Sequence, residues 1–368
     1  NAAEALLSLG AGPCAEIMRG LGVPLVAATM AELRAEFVAE MFGSLGAFTP
    51  DLFRAVGHVF IGQLLTALGR DYCKPFFQGL GAKFVVETFQ AVGSKFMSNA
   101  FRETGFAVVA GIFSGLGAEW TGGMHKELGA TFCSDLYTGL GPSFTASLFD
   151  TCGLQFVCDV HRKFGVEWAV ALYAGLGPHF SAPVFTQLGD VFMSGMLGDL
   201  GAEWSSGFFG GLGVHYNAVL YATLGAPFIA TLILADTRSS ALFYRALGAK
   251  FVAKVFAFLG AQFVATTIVH LGCPASRTLF MTAGCDWSAE VLAVLGVEFA
   301  GALLRMVGMS FSSALLLELG PSFSYRVAKD LGPTYAVGVL SLFACKPCCS
   351  CRWPASSARA MPRSSAHC

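Results

Sequence analysis

Residues 117–152 read GAEWTGGMHKEL, GATFCSDLYTGL and GPSFTASLFDTC, three consecutive blocks of twelve with a leading glycine, an aromatic three residues later and a large apolar residue at the seventh position. The same glycine recurs every twelve residues from Gly69 to Gly225. It is preceded by Gly10, Gly22, Gly46 and Gly57 and resumes from Gly248 to Gly332. Allowing two one-residue deletions, about 28 units account for residues 1–343. The chain is therefore a tandem repeat, and one locally connected array replaces the two or three globular domains that its length would otherwise suggest.

With each glycine as position 0, position 3 is aromatic in most units (Trp120, Phe132, Phe144, Phe156, Trp168), position 7 is mostly aliphatic, position 8 is often Phe or Tyr, and position 11 is most often Leu. Charges prefer positions 2, 6, 9 and 10, as at Glu119, Lys126, Glu127, Asp135 and Arg162. At about 100° per residue the first set falls on one arc of a helix and the second on the opposite arc, so each unit reads as one short amphipathic helix. The ends agree. Glycine suits the left-handed residue past a helix C-terminus, and Pro142, Pro178, Pro321 and Pro333, directly after their glycines, suit a first helical turn. A single unbroken helix fits badly, since twelve residues advance the face by about 120° and would wind the aromatic stripe around it. The glycines are expected to turn the chain, giving an all-α solenoid of short helices that need their neighbours for stability.

The alternative is a β-solenoid with twelve residues per coil, supported by some alternation through positions 1, 3, 5 and 7. Against it stand adjacent large pairs such as Leu136-Tyr137 and Leu148-Phe149, one member of which would point outward from every coil. A slower rhythm overlies the first. Gly139, Gly175 and Gly211 recur every 36 residues, and His125 and His161 share that offset, as three units per superhelical turn would require; duplication of a three-unit gene segment would leave the same trace. The marker fails at Arg34 and at Asp236, and Asp236–Ser240 is the better candidate for a loop or hinge. After Phe343 the repeat stops, and 344–368, rich in Cys, Ser, Pro and Arg, is expected to be disordered.

Apolar residues form 55% of the chain and charged residues 13%, enough for a continuous core and too little charge for disorder. With 23 basic and 24 acidic residues and no basic stripe, nucleic acid is excluded as an expected partner. The cysteines before the tail are scattered without a ladder pattern and read as buried free thiols, which favours an intracellular setting; no Asn-x-Ser/Thr acceptor is present.

Gly-Leu-Gly invites comparison with a dinucleotide loop, but the third glycine of that fingerprint is missing after Gly117, Gly141, Gly177 and Gly213, so no cofactor is expected. Phosphate-loop, zinc-protease and nucleophile-elbow motifs are likewise absent, and the dispersed histidines read mostly as surface or flank residues. The one reactive constellation is Cys345, Cys348, Cys349 and Cys351. Four thiolates can hold zinc or copper, although this cluster is more compact than the usual two separated pairs. Its place after the apolar run Val337–Phe343 also suits S-acylation.

Residues 204–235 contain no Asp, Glu, Lys or Arg, long enough for a membrane span, yet the periodic glycines and polar residues mark them as ordinary repeat. The expected function is a non-enzymatic scaffold that binds protein. A membrane-associated array and a translated minisatellite without evolved function are the alternatives. The separation of apolar from polar positions among units that otherwise differ widely favours selection for folding.

Overall fold

The computed structural model describes residues 2–344. Among the described residues every regular element is a helix and there is no strand, so the chain is all-α and the β coil is disfavoured. Leu136 and Tyr137 show why: both are buried, at 3% and 6% exposure, on adjacent positions that a strand would send to opposite faces.

The unit is an eleven-residue helix followed by one glycine. Ala118–Leu128, Ala130–Leu140, Pro142–Cys152 and Leu154–Phe164 follow one another with only Gly129, Gly141 and Gly153 between them. Gly129 sits at φ 88°, ψ 152°. The positive φ was expected, the ψ was not: it lies far from the left-handed helical value of about +47°, in a region open essentially to glycine alone. In that conformation one residue serves both neighbours. The Gly129 N–H donates to the carbonyl of His125 (3.1 Å), four residues back, and its carbonyl accepts from Cys133 N–H (3.1 Å), four residues on. No connecting loop is needed, because the glycine carbonyl already starts the next helical ladder, and the glycine supplies no side-chain cap. The longer helices obey the same rule. Pro178–Leu224 contains non-helical Gly189, Gly201 and Gly213, and Ala249–Ala283 contains Gly260 and Gly272.

Where glycine is missing the corner survives by other means. Arg34 takes φ 64°, ψ 149° and is the one non-glycine residue with positive φ among the described residues. At the candidate hinge the break is a single residue, Asp236. It adopts φ −149° and caps Thr237–Leu247 by accepting the Ser239 N–H with its side chain, a conventional N-cap. The neighbouring helix Ala226–Ala235 is one residue short, which accommodates the changed corner.

Each helix packs chiefly on those three before and three after it. Ala82–Val92 lies on Ala118–Leu128, Ser94–Thr104 on Ala130–Leu140, and Ala118–Leu128 on Leu154–Phe164. The 36-residue glycines mark close approaches between these helices. A Cβ on Gly139 would stand 2.8 Å from Ser98 Cβ, one on Gly175 2.9 Å from Ser134 Cβ, and one on Gly211 2.7 Å from a Val170 methyl.

This packing corrects the expected core. Positions 4, 5, 7 and 8 are buried, as at Cys133, Ser134, Leu136 and Tyr137, whereas position 3 (Phe132, Phe144, Phe156) is only half-buried. A helix flanked on two sides as well as behind buries a wider arc than a two-layer wheel allows, and the aromatic of position 3 covers a seam instead of filling the centre. The centre belongs to position 8. Phe89, Phe101, Phe113, His125, Tyr137, Phe149, His161, Tyr173 and Phe185 form an unbroken column, each ring 5.7–6.4 Å from the next.

Ala11–Leu33 and Ala249–Ala283 satisfy the length and composition of a membrane span. Both are bent at internal glycines. Among the described residues the longest unbroken helical run, Pro333–Ala344 with 12 residues, measures about 18 Å against a hydrocarbon thickness of about 30 Å.

Candidate functional site

The column is apolar except at a few rings, and two of these pair with partners one unit on. His125 Nδ1 faces the carbonyl of Thr121 at 2.8 Å and its Nε2 faces the hydroxyl of Tyr137 at 3.0 Å. His161 repeats the arrangement with Val157 (2.7 Å) and Tyr173 (3.2 Å). A carbonyl can only accept, so Nδ1 carries the proton, Nε2 is the acceptor, and the tyrosine O–H donates to it. Position 8 places each histidine four residues before a glycine, on the helix face that looks into the column. The helix itself supplies the i−4 carbonyl.

Burial fixes the charge state. Desolvation lowers His125 to about 4 and His161 to about 4, the hydrogen bonds to Thr121 and Val157 opposing it in part. The same burial raises Tyr137 and Tyr173 well above the ordinary phenol value. Both histidines are therefore neutral at pH 7. A cavity of about 30 Å³ separates the pairs, lined by His125, Tyr137, Phe149 and His161 among others, about the room of one or two waters. Each imidazole has both nitrogens engaged, so neither presents a free base or metal ligand. Their sequence position on the inner arc was the signal of this burial, whereas His58, His179, His215 and His270 are half-buried or exposed, in keeping with the reading of most histidines as surface or flank residues.

Small polar residues at position 4 serve the helix ends. The Thr121 hydroxyl donates to the Phe113 carbonyl (3.1 Å), Cys133 Sγ to His125 (3.6 Å), and Asn217 Nδ2 to Phe209 (2.7 Å), in each case eight residues back across a glycine. The cysteines before the tail are free, and Cys14, Cys73, Cys133 and Cys158 are buried. Burial pushes the Cys73 and Cys133 thiols up to about 12, holding them as small protonated core residues.

On the outside, the residue three before a break forms a ladder. Arg19 donates to the carbonyl of Ala55 (2.6 Å), Arg54 to that of Ala91, Gln90 to that of Glu127 (3.3 Å) and Arg162 to that of Asp199 (2.8 Å). Each reaches one of the last carbonyls of the helix three units on, which the helix itself leaves unbonded. Arg162 also pairs with the carboxylates of Asp159 and Asp199, and Lys163 with Glu119. Residues that read as a solvated face thus tie neighbouring helices together.

The cysteines proposed for zinc, copper or acylation, Cys345, Cys348, Cys349 and Cys351, lie outside the described residues. Among the described residues no group of three His, Cys, Asp or Glu side chains is placed to hold a metal ion. No protein-family model, curated protein or solved structure matches the chain.

Proposed function

We propose that this chain is a non-enzymatic repeat scaffold, a solenoid with three helices per turn whose outer faces bind protein. The observation that carries the reading is the register of side-chain contacts. Hydrogen bonds between distant parts of the sequence cluster at separations near three units, from 35 residues for Ser181–Tyr216 to 44 for Lys163–Glu119. Like positions of every third unit then fall into rows along the surface, the type of extended surface on which stacked repeats bind their partners. Two imidazoles, those of His125 and His161, are occupied by internal bonds in the core.

Cross-linking of the full chain in an extract of its source, followed by substitution of the exposed row residues Lys83→Glu, Lys126→Glu and Glu127→Lys, tests the proposal. A protein cross-linked to these rows, retained by the unaltered chain and lost on charge reversal at unchanged melting temperature, is the expected result. A stoichiometric small molecule that the chain converts, or retention that rests on lipid alone, would overturn it.

A further inference from the structure

Between Phe42 and Phe113 the ring series is interrupted once. Four residues before each break from Gly46 to Gly117 the chain carries Phe42, Phe53, Phe77, Phe89, Phe101 and Phe113, and in the middle of this series Leu65. Phe42 and Phe53 meet at 5.9 Å, as do Phe101 and Phe113. Around Leu65 the interior opens into a cavity of about 60 Å³, walled by Met30, Phe42, Phe53, Leu65, Phe77 and Phe89 along the column. The surface facing it is apolar, although Thr49 and Thr88 stand on the wall. Thr49, on the wall, spends its hydroxyl on the Phe42 carbonyl at 3.2 Å.

The volume exceeds that of the His–Tyr cavity by a factor of two, so size alone would admit water. Chemistry excludes it: a water held there would find none of the two to four hydrogen-bond partners it needs, and cavities of this lining stay dry. Dry space leaves the wall atoms without dispersion partners, and an uncharged apolar guest restores them without any desolvation cost of its own. Engineered cavities of roughly 150 Å³ with such walls take benzene or xenon. At less than half that volume, the guest is a xenon atom or a hydrocarbon of a few carbons, and the flexible Met18 and Met30 side chains allow the wall to adapt.

We propose that the cavity beside Leu65 is a binding site for a small, uncharged, wholly apolar molecule, created by the single leucine in a run of column phenylalanines. The methyl groups of Met30 and Met97 on the wall report its occupancy, and the buried Met193 and Met196 elsewhere in the core serve as controls.

In the full chain labelled at methionine methyl carbons, rising xenon pressure should shift Met30 and Met97 saturably while Met193 and Met196 stay in place. Leu65→Phe, which completes the column, should abolish the shift. Leu65→Ala, which enlarges the space, should admit benzene, so that benzene raises the melting temperature of this variant by several degrees and leaves that of Leu65→Phe unchanged. Absence of a saturable shift at Met30 and Met97, an equal shift at the control methyls, or an undiminished shift in Leu65→Phe overturns the proposal. If Leu65→Phe does not fold, Leu65→Ala decides the matter: a melting temperature indifferent to benzene rejects the site.

Discussion

His125 and Tyr137 stand twelve residues apart on successive helices, and the imidazole Nε2 receives the phenol hydroxyl across the intervening glycine at 3.0 Å. His161 and Tyr173 repeat the bond three units later at 3.2 Å. Each pair is fully satisfied only while the imidazole is neutral. Protonated Nε2 becomes a donor facing an O–H that can turn to accept it, but the charge remains buried.

Stability should therefore fall with acid. Both imidazoles are held at about 4 in the folded chain, below the ordinary value of about 6.5 in the unfolded one. Between these pH values the unfolded state binds more protons, so the stabilisation is complete above about pH 6.5 and is lost as pH falls toward 4, by roughly 3 kcal/mol per histidine. Urea unfolding at pH 7 and pH 4.5 should show a difference that shrinks markedly in His125→Phe/His161→Phe, which keeps the rings and removes the titration. An unchanged difference would assign the acid sensitivity to other groups.

The conformation of the breaks gives a paired test within one unit boundary. Gly129→Ala forces a Cβ onto φ 88° and should cost about 1–3 kcal/mol. Gly123, inside the preceding helix with open space where a Cβ would sit, should gain about 0.5–1 kcal/mol as Ala. Chemical unfolding of the two single variants measures both signs, and equal effects would mean that the breaks are not conformationally special.

Arg34 holds the same corner without being glycine, at φ 64°. Arg34→Gly should relieve that strain and stabilise the protein by about 1–2 kcal/mol. The measurement is a rise in the urea midpoint at constant slope. A destabilised variant would show that the arginine side chain contributes more than its backbone costs.

Gly139 and Ser98 touch so closely that each fixes the other's size. Gly139→Ala should destabilise by about 1–3 kcal/mol through overpacking, and adding Ser98→Gly should recover most of the loss. A double-mutant cycle over the two substitutions should give a coupling of about 1 kcal/mol or more. Additive effects would separate the two helices at this point.

The twelve-residue glycine rhythm and the opposed arcs of apolar and charged positions were enough to make each unit a short helix. Gly129 and Gly141 mark its ends because few other residues take their backbone angles, and that constraint is written locally. Which apolar position reaches the centre was not local. A wheel ranks Phe132 and Tyr137 alike, and only the helices three units away, packed on both flanks, leave Phe132 half-buried over a seam and draw Tyr137 into the column. The 36-residue recurrence of Gly139, Gly175 and Gly211 was visible in the sequence, but its cause was the close contact with Ser98, Ser134 and Val170, residues 41 positions earlier. Likewise His125 became a neutral core residue only when its neighbours excluded water. The sequence by itself determined the repeating unit and its secondary structure, since these follow from backbone angles and from residues within one turn of each other. The tertiary structure decided the column, the buried histidines and the cavity beside Leu65, because burial depends on what lies three helices away.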